Sequence, residues 1–196
     1  AAAEAWLGAR TSSKFFLFLH LYEPHTPYAP PVRFARGDPY DGEIAYVDEL
    51  VGRLIATLKS RGVYDDALII LLSDHGEGLG DHGEMEHGIF LYSETIRVPL
   101  VVKLPGGNNR GQRVNEPVQH IDLLPTVLDM VGAARPEGLR GRSLTPAFRG
   151  QPVPEQGLYA EAMYARYHYG WSELYALTDA RYRLIRAPRD ELYDIQ

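Results

Sequence analysis

Apolar side chains in this sequence fall into short runs separated by polar, glycine-rich and proline-rich stretches, and the spacing within each run predicts an element. Residues 14–22 (KFFLFLHLY) are almost continuously apolar and aromatic, the pattern of a strand buried on both faces. A loop follows over 23–36, holding Pro24, Pro27, Pro30 and Pro31. Over 40–60, Ile44, Val47, Val51, Leu54, Ile55 and Leu58 recur at helical spacing, with Asp38 before Pro39 as a cap and Gly62 as the stop. Residues 67–72 (ALIILL) predict a second buried strand, running straight into Ser73-Asp74-His75-Gly76. The stretch 76–88 holds five glycines and neither period, so it reads as a loop. Residues 98–104 predict a third short buried strand, stopped by Pro105-Gly106-Gly107. Residues 122–131 read as a helix capped by Asp122, with Pro125 tolerated in its first turn. Beyond Gly150 the character changes. Residues 158–192 are rich in Tyr, Trp and Arg, with Tyr182 and Leu184 on one face and Arg181 and Arg183 on the other. They predict an antiparallel hairpin or small sheet turning near Thr178-Asp179.

Buried strands alternating with helices argue for an α/β layer fold, a mostly parallel sheet flanked by helices, with a small C-terminal antiparallel sheet. Residues 1–150 would form the main α/β part and 151–196 the small antiparallel part. Composition is that of an ordinary globular chain: of 196 residues, 45% are hydrophobic and 23% charged, which excludes a disordered or fibrous reading. The longest apolar run, 67–72, is far short of the roughly 20 residues that span a bilayer. The first ten residues carry Glu4 and no basic leader, so they do not read as a signal peptide, and periplasm and cytoplasm both stay open. They do read as the end of a helix entered without a cap, and the chain stops at Tyr193-Asp194-Ile195-Gln196 without a polar tail. The expectation is a fragment, cut at both ends. Twenty basic against 26 acidic side chains leave a net charge of −6, which argues against a nucleic-acid partner. Cysteine is absent, so disulfides, Cys-ligated zinc and thiol catalysis are excluded on this chain.

The histidines carry the chemical information. Five of the seven lie between His20 and His87, each at a predicted strand end or in the loop after it. Open α/β sheets place ligand sites at the carboxyl ends of their strands, so His20 and His25 from the first strand and Asp74 and His75 from the second are expected at one edge. Asp74 and His75 can converge on a divalent cation if the chain turns at Gly76; alternatively Asp74 caps the next turn and His75 packs locally. Glu77, Asp81, His82, Glu84, Glu86 and His87 crowd the same loop, a density of ligand-type side chains that favours a cation or an anionic substrate. The prolines flanking His25 stiffen its backbone and fix its direction. His20 alternates with apolar residues and reads first as a core histidine, whereas His120 and His168 read as packing or hydrogen-bonding residues. Ser73, Ser93 and Ser143 lack a nucleophile-elbow context, and nothing marks Thr26 as activated.

Six segments in order, FFLFLHLYEPHTPY (15–28), YDGEIAYVDELVGRLIATL (40–58), LLSDHGEGLGDHGEMEH (71–87), TIRVPL (95–100), HIDLLPTV (120–127) and ELYDI (191–195), resemble the C-terminal part of the sulfatase family within the alkaline-phosphatase superfamily. The resemblance implies an alkaline-phosphatase-like fold, here partial. It implies that Asp74, at the Asp of the SD(N/H)G motif, is a metal ligand, and that His75 stands where many arylsulfatases have Asn. Twelve positions further on, His87 stands where arylsulfatases have a sulfate-contacting Lys and related phosphoethanolamine transferases a His that holds a second metal or the substrate phosphate. His25, in the PHxP element, matches an anion-binding or acid–base residue. His20 and His82 are secondary candidates. The family's nucleophile, a formylglycine in sulfatases, belongs to a part of the family sequence absent from these motifs.

The resemblance therefore implies a metal-dependent hydrolase of sulfate esters, with one divalent ion (Ca, Mn or Zn). His75 leans the choice to Mn or Zn, because imidazole suits them better than calcium. A phosphoryl or phosphoethanolamine transferase, or a phosphodiester or phosphonate-ester hydrolase, is the alternative within the superfamily; a non-catalytic sulfatase-like domain is the alternative outside enzymes. The expected partner is an anionic sulfate or phosphate ester, with a homo-oligomer formed through exposed fragment surfaces as a further expectation.

Overall fold

Asp38 starts the longest helix: its carboxylate accepts from the Tyr40 amide at 2.8 Å, and Pro39, which has no amide hydrogen to lose, takes the first helical position. The computed structural model describes residues 2–9, 14–107 and 110–196. They form two compact units, 1–68 with 103–107, and 69–102 with 108–196.

In the first unit, helix α1 (Ala2–Gly8) buries Leu7 and meets helix α2 (Pro39–Ser60), where Arg53 grips both oxygens of the Glu4 carboxylate. Both side chains are part-exposed, so the pair orients more than it stabilises. Positions 1 and 10 of the expected first helix lie outside the described residues. The proline-rich loop is held against the start of α2. Gly42 leaves room for it: a Cβ there would stand 2.6 Å from the Phe34 carbonyl oxygen and 2.8 Å from the Pro30 ring. The Lys103 ammonium donates to the carbonyls of Tyr64, Asp65 and Ala67, satisfying backbone acceptors where the chain leaves α2.

In the second unit, strand β1 (Ile69–Leu72) pairs with β2 (Leu100–Lys103). Between them lie the glycine-rich loop and the short helix α3 (Ser93–Ile96). Helix α4 (Leu123–Val131) follows a 3-10 turn at His120–Asp122 and ends on Gly132 in the left-handed conformation. A four-stranded antiparallel sheet closes the unit: β3 (Leu158–Ala162), β4 (Leu174–Thr178), β5 (Tyr182–Arg186) and β6 (Glu191–Asp194), in that spatial order, with helix α5 (Tyr164–Tyr169) between β3 and β4. Its register sets Ala160 opposite Ala176 and Ala176 opposite Ile185. This is the expected C-terminal antiparallel sheet. Leu91, Ala162, Ala176 and Ile185 form one buried cluster; Leu144, Ala147 and Val153 form another.

Several expectations change. Residues 14–22 form no strand and stay largely open, with Phe16 80% and Phe18 77% exposed. A strand needs a hydrogen-bonded neighbour, and none of the described residues supplies one. For the same reason β1 and β2 are half-covered rather than buried, and the described residues build no mostly parallel sheet. His20 is exposed, which removes its core reading. Asp122 takes the N-cap position of α4, as expected, but its carboxylate makes no capping bond to the helix. Fully buried, it instead accepts from the amides of Gln119 at 3.1 Å and Arg142 at 2.9 Å, tying the turn before the helix to the segment after it. In β5 the face is the reverse of what apolarity suggests: Arg183 and Ile185 point inward while Leu184 is exposed.

Candidate active site

The loop after β1 is stitched to its neighbours through glycines. The Gly76 amide donates to the Thr95 carbonyl at 2.8 Å and that of Gly78 to the Glu86 carbonyl at 2.7 Å. Neither position admits a side chain: a Cβ on Gly76 would lie 1.9 Å from the Glu94 carbonyl oxygen, one on Gly78 2.3 Å from that of Glu84. The buried Glu84 carboxylate adds two more ties, accepting from the amides of Ile89 and Phe90 at 2.7 and 3.1 Å. Backbone approach this close brings residues ten or more apart side by side.

The result is a cluster of imidazoles and carboxylates at the carboxyl end of β1. The rings of His75 and His87 stack with centroids 3.8 Å apart and planes at 24°. Nδ1 of His75 lies 2.9 Å from the Gly76 carbonyl oxygen, an atom that only accepts, so this contact assigns the ring proton to Nδ1 and the lone pair to Nε2. Nδ1 of His87 lies 3.0 Å from Oε1 of Glu77, whose side chain is only 4% exposed. The same tautomer follows for His87. Asp74 keeps an open carboxylate whose Oδ1 is 3.8 Å from Nε2 of His75 and accepts from the His75 amide at 3.1 Å. The Ser73 hydroxyl donates to the His75 carbonyl at 2.5 Å, a backbone tie in keeping with its lack of nucleophile context. His120 donates from Nε2 to the Ser73 carbonyl, 47 positions away, at 3.0 Å, and His168 donates from Nδ1 to the Tyr164 carbonyl at 2.9 Å.

His82 takes a different set of partners. It adopts a left-handed backbone (φ 51°), held by stacking on Tyr92 at 3.9 Å and by the Glu94 carboxylate 2.5 Å from its Nδ1. His25, in the first unit, has Nδ1 2.7 Å from the Thr26 carbonyl, and its ring stacks on Tyr22 at 4.6 Å. The buried Glu43 carboxylate on α2 accepts from the His25 amide at 3.1 Å and the Ala29 amide at 2.7 Å, which locks the loop. Cis peptide bonds precede both Pro24 and Pro27. Glu43 is a functional candidate missed from the sequence, and Glu77, named there only among the loop's ligand-type residues, is singled out by the fold as the partner of His87. Each is one acid among many, and only its burial against a histidine sets it apart.

Among the described residues no group of three or more His, Asp or Glu side chains is placed to hold a metal ion. Asp74 and His75 fit as part of such a site: a 3.8 Å span is one that a cation bonded to each donor at about 2.1–2.3 Å can bridge. No helix among the described residues is long and apolar enough to cross a membrane.

Comparison with known proteins identifies the family. The family model described as Sulfatase matches residues 1–133, and the one described as N-sulphoglucosamine sulphohydrolase, C-terminal, matches 80–196. The multifunctional alkaline phosphatase superfamily protein PehA of Trinickia caryophylli is 42% identical over 108 residues, 55% of this chain and 21% of its own length. The steryl-sulfatase of Rattus norvegicus is 34% identical over 168 residues, 76% of this chain and 29% of its own. The solved phosphonate monoester hydrolase of Silicibacter pomeroyi superposes with a TM-score of 0.70 at 33% identity, covering 81% of this chain and 34% of that one. The chain thus spans about a fifth to a third of the length of these relatives. With family models covering both its halves and an alkaline-phosphatase-like α/β neighbour superposing on four-fifths of it, this chain belongs to the sulfatase family.

Proposed function

We propose that this chain supplies the second half of the catalytic centre of a metal-dependent sulfate-ester hydrolase. The observation that carries the reading is the stacked His75–His87 pair, backed by Glu77 and flanked by Asp74. Asp74 and His75 would hold one divalent cation, with Mn or Zn suited to the imidazole. When bound, that ion polarises the ester and lowers the pKa of the attacking group. Glu77 holds the Nδ1 proton of His87, so His87 would meet an oxygen of a tetrahedral anion only as the doubly protonated imidazolium, donating from Nε2. His25, fixed through Glu43, is the second imidazole for the anion or the leaving oxygen. The nucleophile, a formylglycine in this reading, comes from the part of the family architecture that these residues do not cover. A mostly parallel sheet flanked by helices is part of the same reading.

Phosphonate-ester cleavage is the second reading, favoured by the 33% identity to the phosphonate monoester hydrolase over 81% of this chain. The test uses the protein at the family's full length, with nitrophenyl sulfate and nitrophenyl phenylphosphonate as substrates. Sulfate turnover should exceed phosphonate turnover, and His75→Ala should lower both turnover and bound metal by a factor of about 10–100 or more. Higher phosphonate turnover would install the second reading. Unchanged turnover and metal content in the variant would remove the site.

A further inference from the structure

The segment that leaves His87 forms one wall of a cavity of about 280 Å³ in the same unit. Residues 89–92 face the end of α5 and strands β4–β6 across it. Its buried lining includes Leu91, Ala165 and Ile185, and Trp171, 57% exposed, stands at its mouth. Its polar side chains are Ser172 and the Tyr92–Glu191 pair, in which the Tyr92 hydroxyl donates to Glu191 at 3.1 Å; from outside the lining the Tyr193 hydroxyl donates to the same carboxylate oxygen. Glu191 is thus satisfied from within the fold. Among the described residues no Lys, Arg or His lines the cavity, so it has nothing to offer an anion.

Outside the mouth the aromatic surface continues. Trp171 lies 5.3 Å from Tyr169, Tyr169 lies 6.0 Å from Tyr164, and Tyr164, Tyr167 and Tyr169 are 47%, 76% and 56% exposed. Aromatic residues this open, grouped on one short helix and its exit, are a stacking surface for a flat ring. The cavity shares a wall with the histidine-bearing loop: Tyr92, which lines it, stacks on His82 with ring centroids 3.9 Å apart.

We infer that the cavity behind Tyr92 and the Trp171 shelf form a subsite for the uncharged, apolar ring of the ester's alcohol, with the anionic head left to His75 and His87. This rests on reading the histidine cluster as an ester-cleaving site. Size supports the ring: an apolar cavity of roughly 150 Å³ accommodates benzene, so about 280 Å³ has room for a two-ring group. Chemistry supports it too, because a sugar would leave most of its hydroxyls facing carbon in so apolar a lining.

The test compares 2-naphthyl sulfate with methyl sulfate, and 2-naphthol as a binding probe, on the full-length protein and its Trp171→Ala and Trp171→Phe variants. Trp171→Ala should lower kcat/KM for the naphthyl ester about tenfold more than for the methyl ester, mainly through KM, and weaken naphthol binding in calorimetry about tenfold. Trp171→Phe should restore most of both. An unchanged naphthyl-to-methyl ratio with unchanged naphthol affinity overturns the subsite while leaving the catalytic reading intact. Weakened naphthol binding in a protein that cleaves neither sulfate nor phosphonate esters upholds the subsite and overturns the catalytic reading.

Discussion

Gly76 shows how much of the candidate site rests on one missing methyl. Its neighbour is a backbone carbonyl, which cannot swing aside as a side-chain tip would. Gly76→Ala should therefore destabilise the protein by about 1–3 kcal/mol and displace His75. Gly52, in the middle of α2, has open space where a Cβ would go, with nothing within 4 Å, so Gly52→Ala should instead stabilise by about 0.5–1 kcal/mol. Denaturant midpoints of the two variants, measured side by side, test the contrast; equal shifts would show that the close approach at Gly76 is relaxed at little cost. The ligand-type residues of this loop were legible because Asp, His and Gly are rare together after an apolar run. Glu77 was legible only as one of that group: nothing in its sequence neighbourhood separates it from Glu84 or Glu86, and only the fold turns it toward His87.

Elements defined by local signals were legible, and those defined by neighbours were not. Helix α2 carries its own cap, first-turn proline and periodicity, and it forms where expected. The β4–β5 hairpin carries its own turn. Oδ1 of Asp179 accepts from the amides of Arg181 at 2.7 Å and Tyr182 at 2.6 Å, and these bonds hold its carboxyl below the ordinary range. A carboxyl whose folded pKa is depressed adds stability that is fully present above its unfolded pKa and is lost as pH falls through the folded one. Stability should thus decline from about pH 4 downward. Asp179→Asn, which keeps an acceptor but has no carboxylate to protonate, should show a shallower decline in urea midpoints over that range. Parallel slopes would show that the turn carboxylate is not responsible. Residues 14–22 fail as a strand for the opposite reason: their apolarity predicts burial, but a ladder partner is a property of the surroundings. The same holds for β5, where inward Arg183 is tolerated because hydroxyl partners await it and outward Leu184 faces Leu192 of the next strand.

Over the whole chain, the family and the antiparallel C-terminal sheet were readable from the sequence, while the expected mostly parallel sheet is not built by the described residues. Arg183 shows what ties the second unit together. Its guanidinium, depressed in pKa by burial, donates to Thr178 at 3.0 Å and to the Ser93 hydroxyl on α3 at 2.9 Å, a contact spanning 90 positions. Helix α3 in turn accepts the Gly76 amide. Arg183→Leu should speed amide hydrogen exchange about tenfold or more in α3 and the 76–83 loop, and leave α4 unaltered. Equal acceleration in α4 would mean general loosening instead.

That guanidinium also imposes an order in time. A ribosome delivers the Asp74-His75 pair long before β5 emerges, so the nascent loop must wait 108 further residues for Arg183, its anchor through Ser93. At about 5–20 residues per second, this leaves several seconds in which the histidines are synthesised but unset, a window in which adventitious metal or a chaperone meets them first.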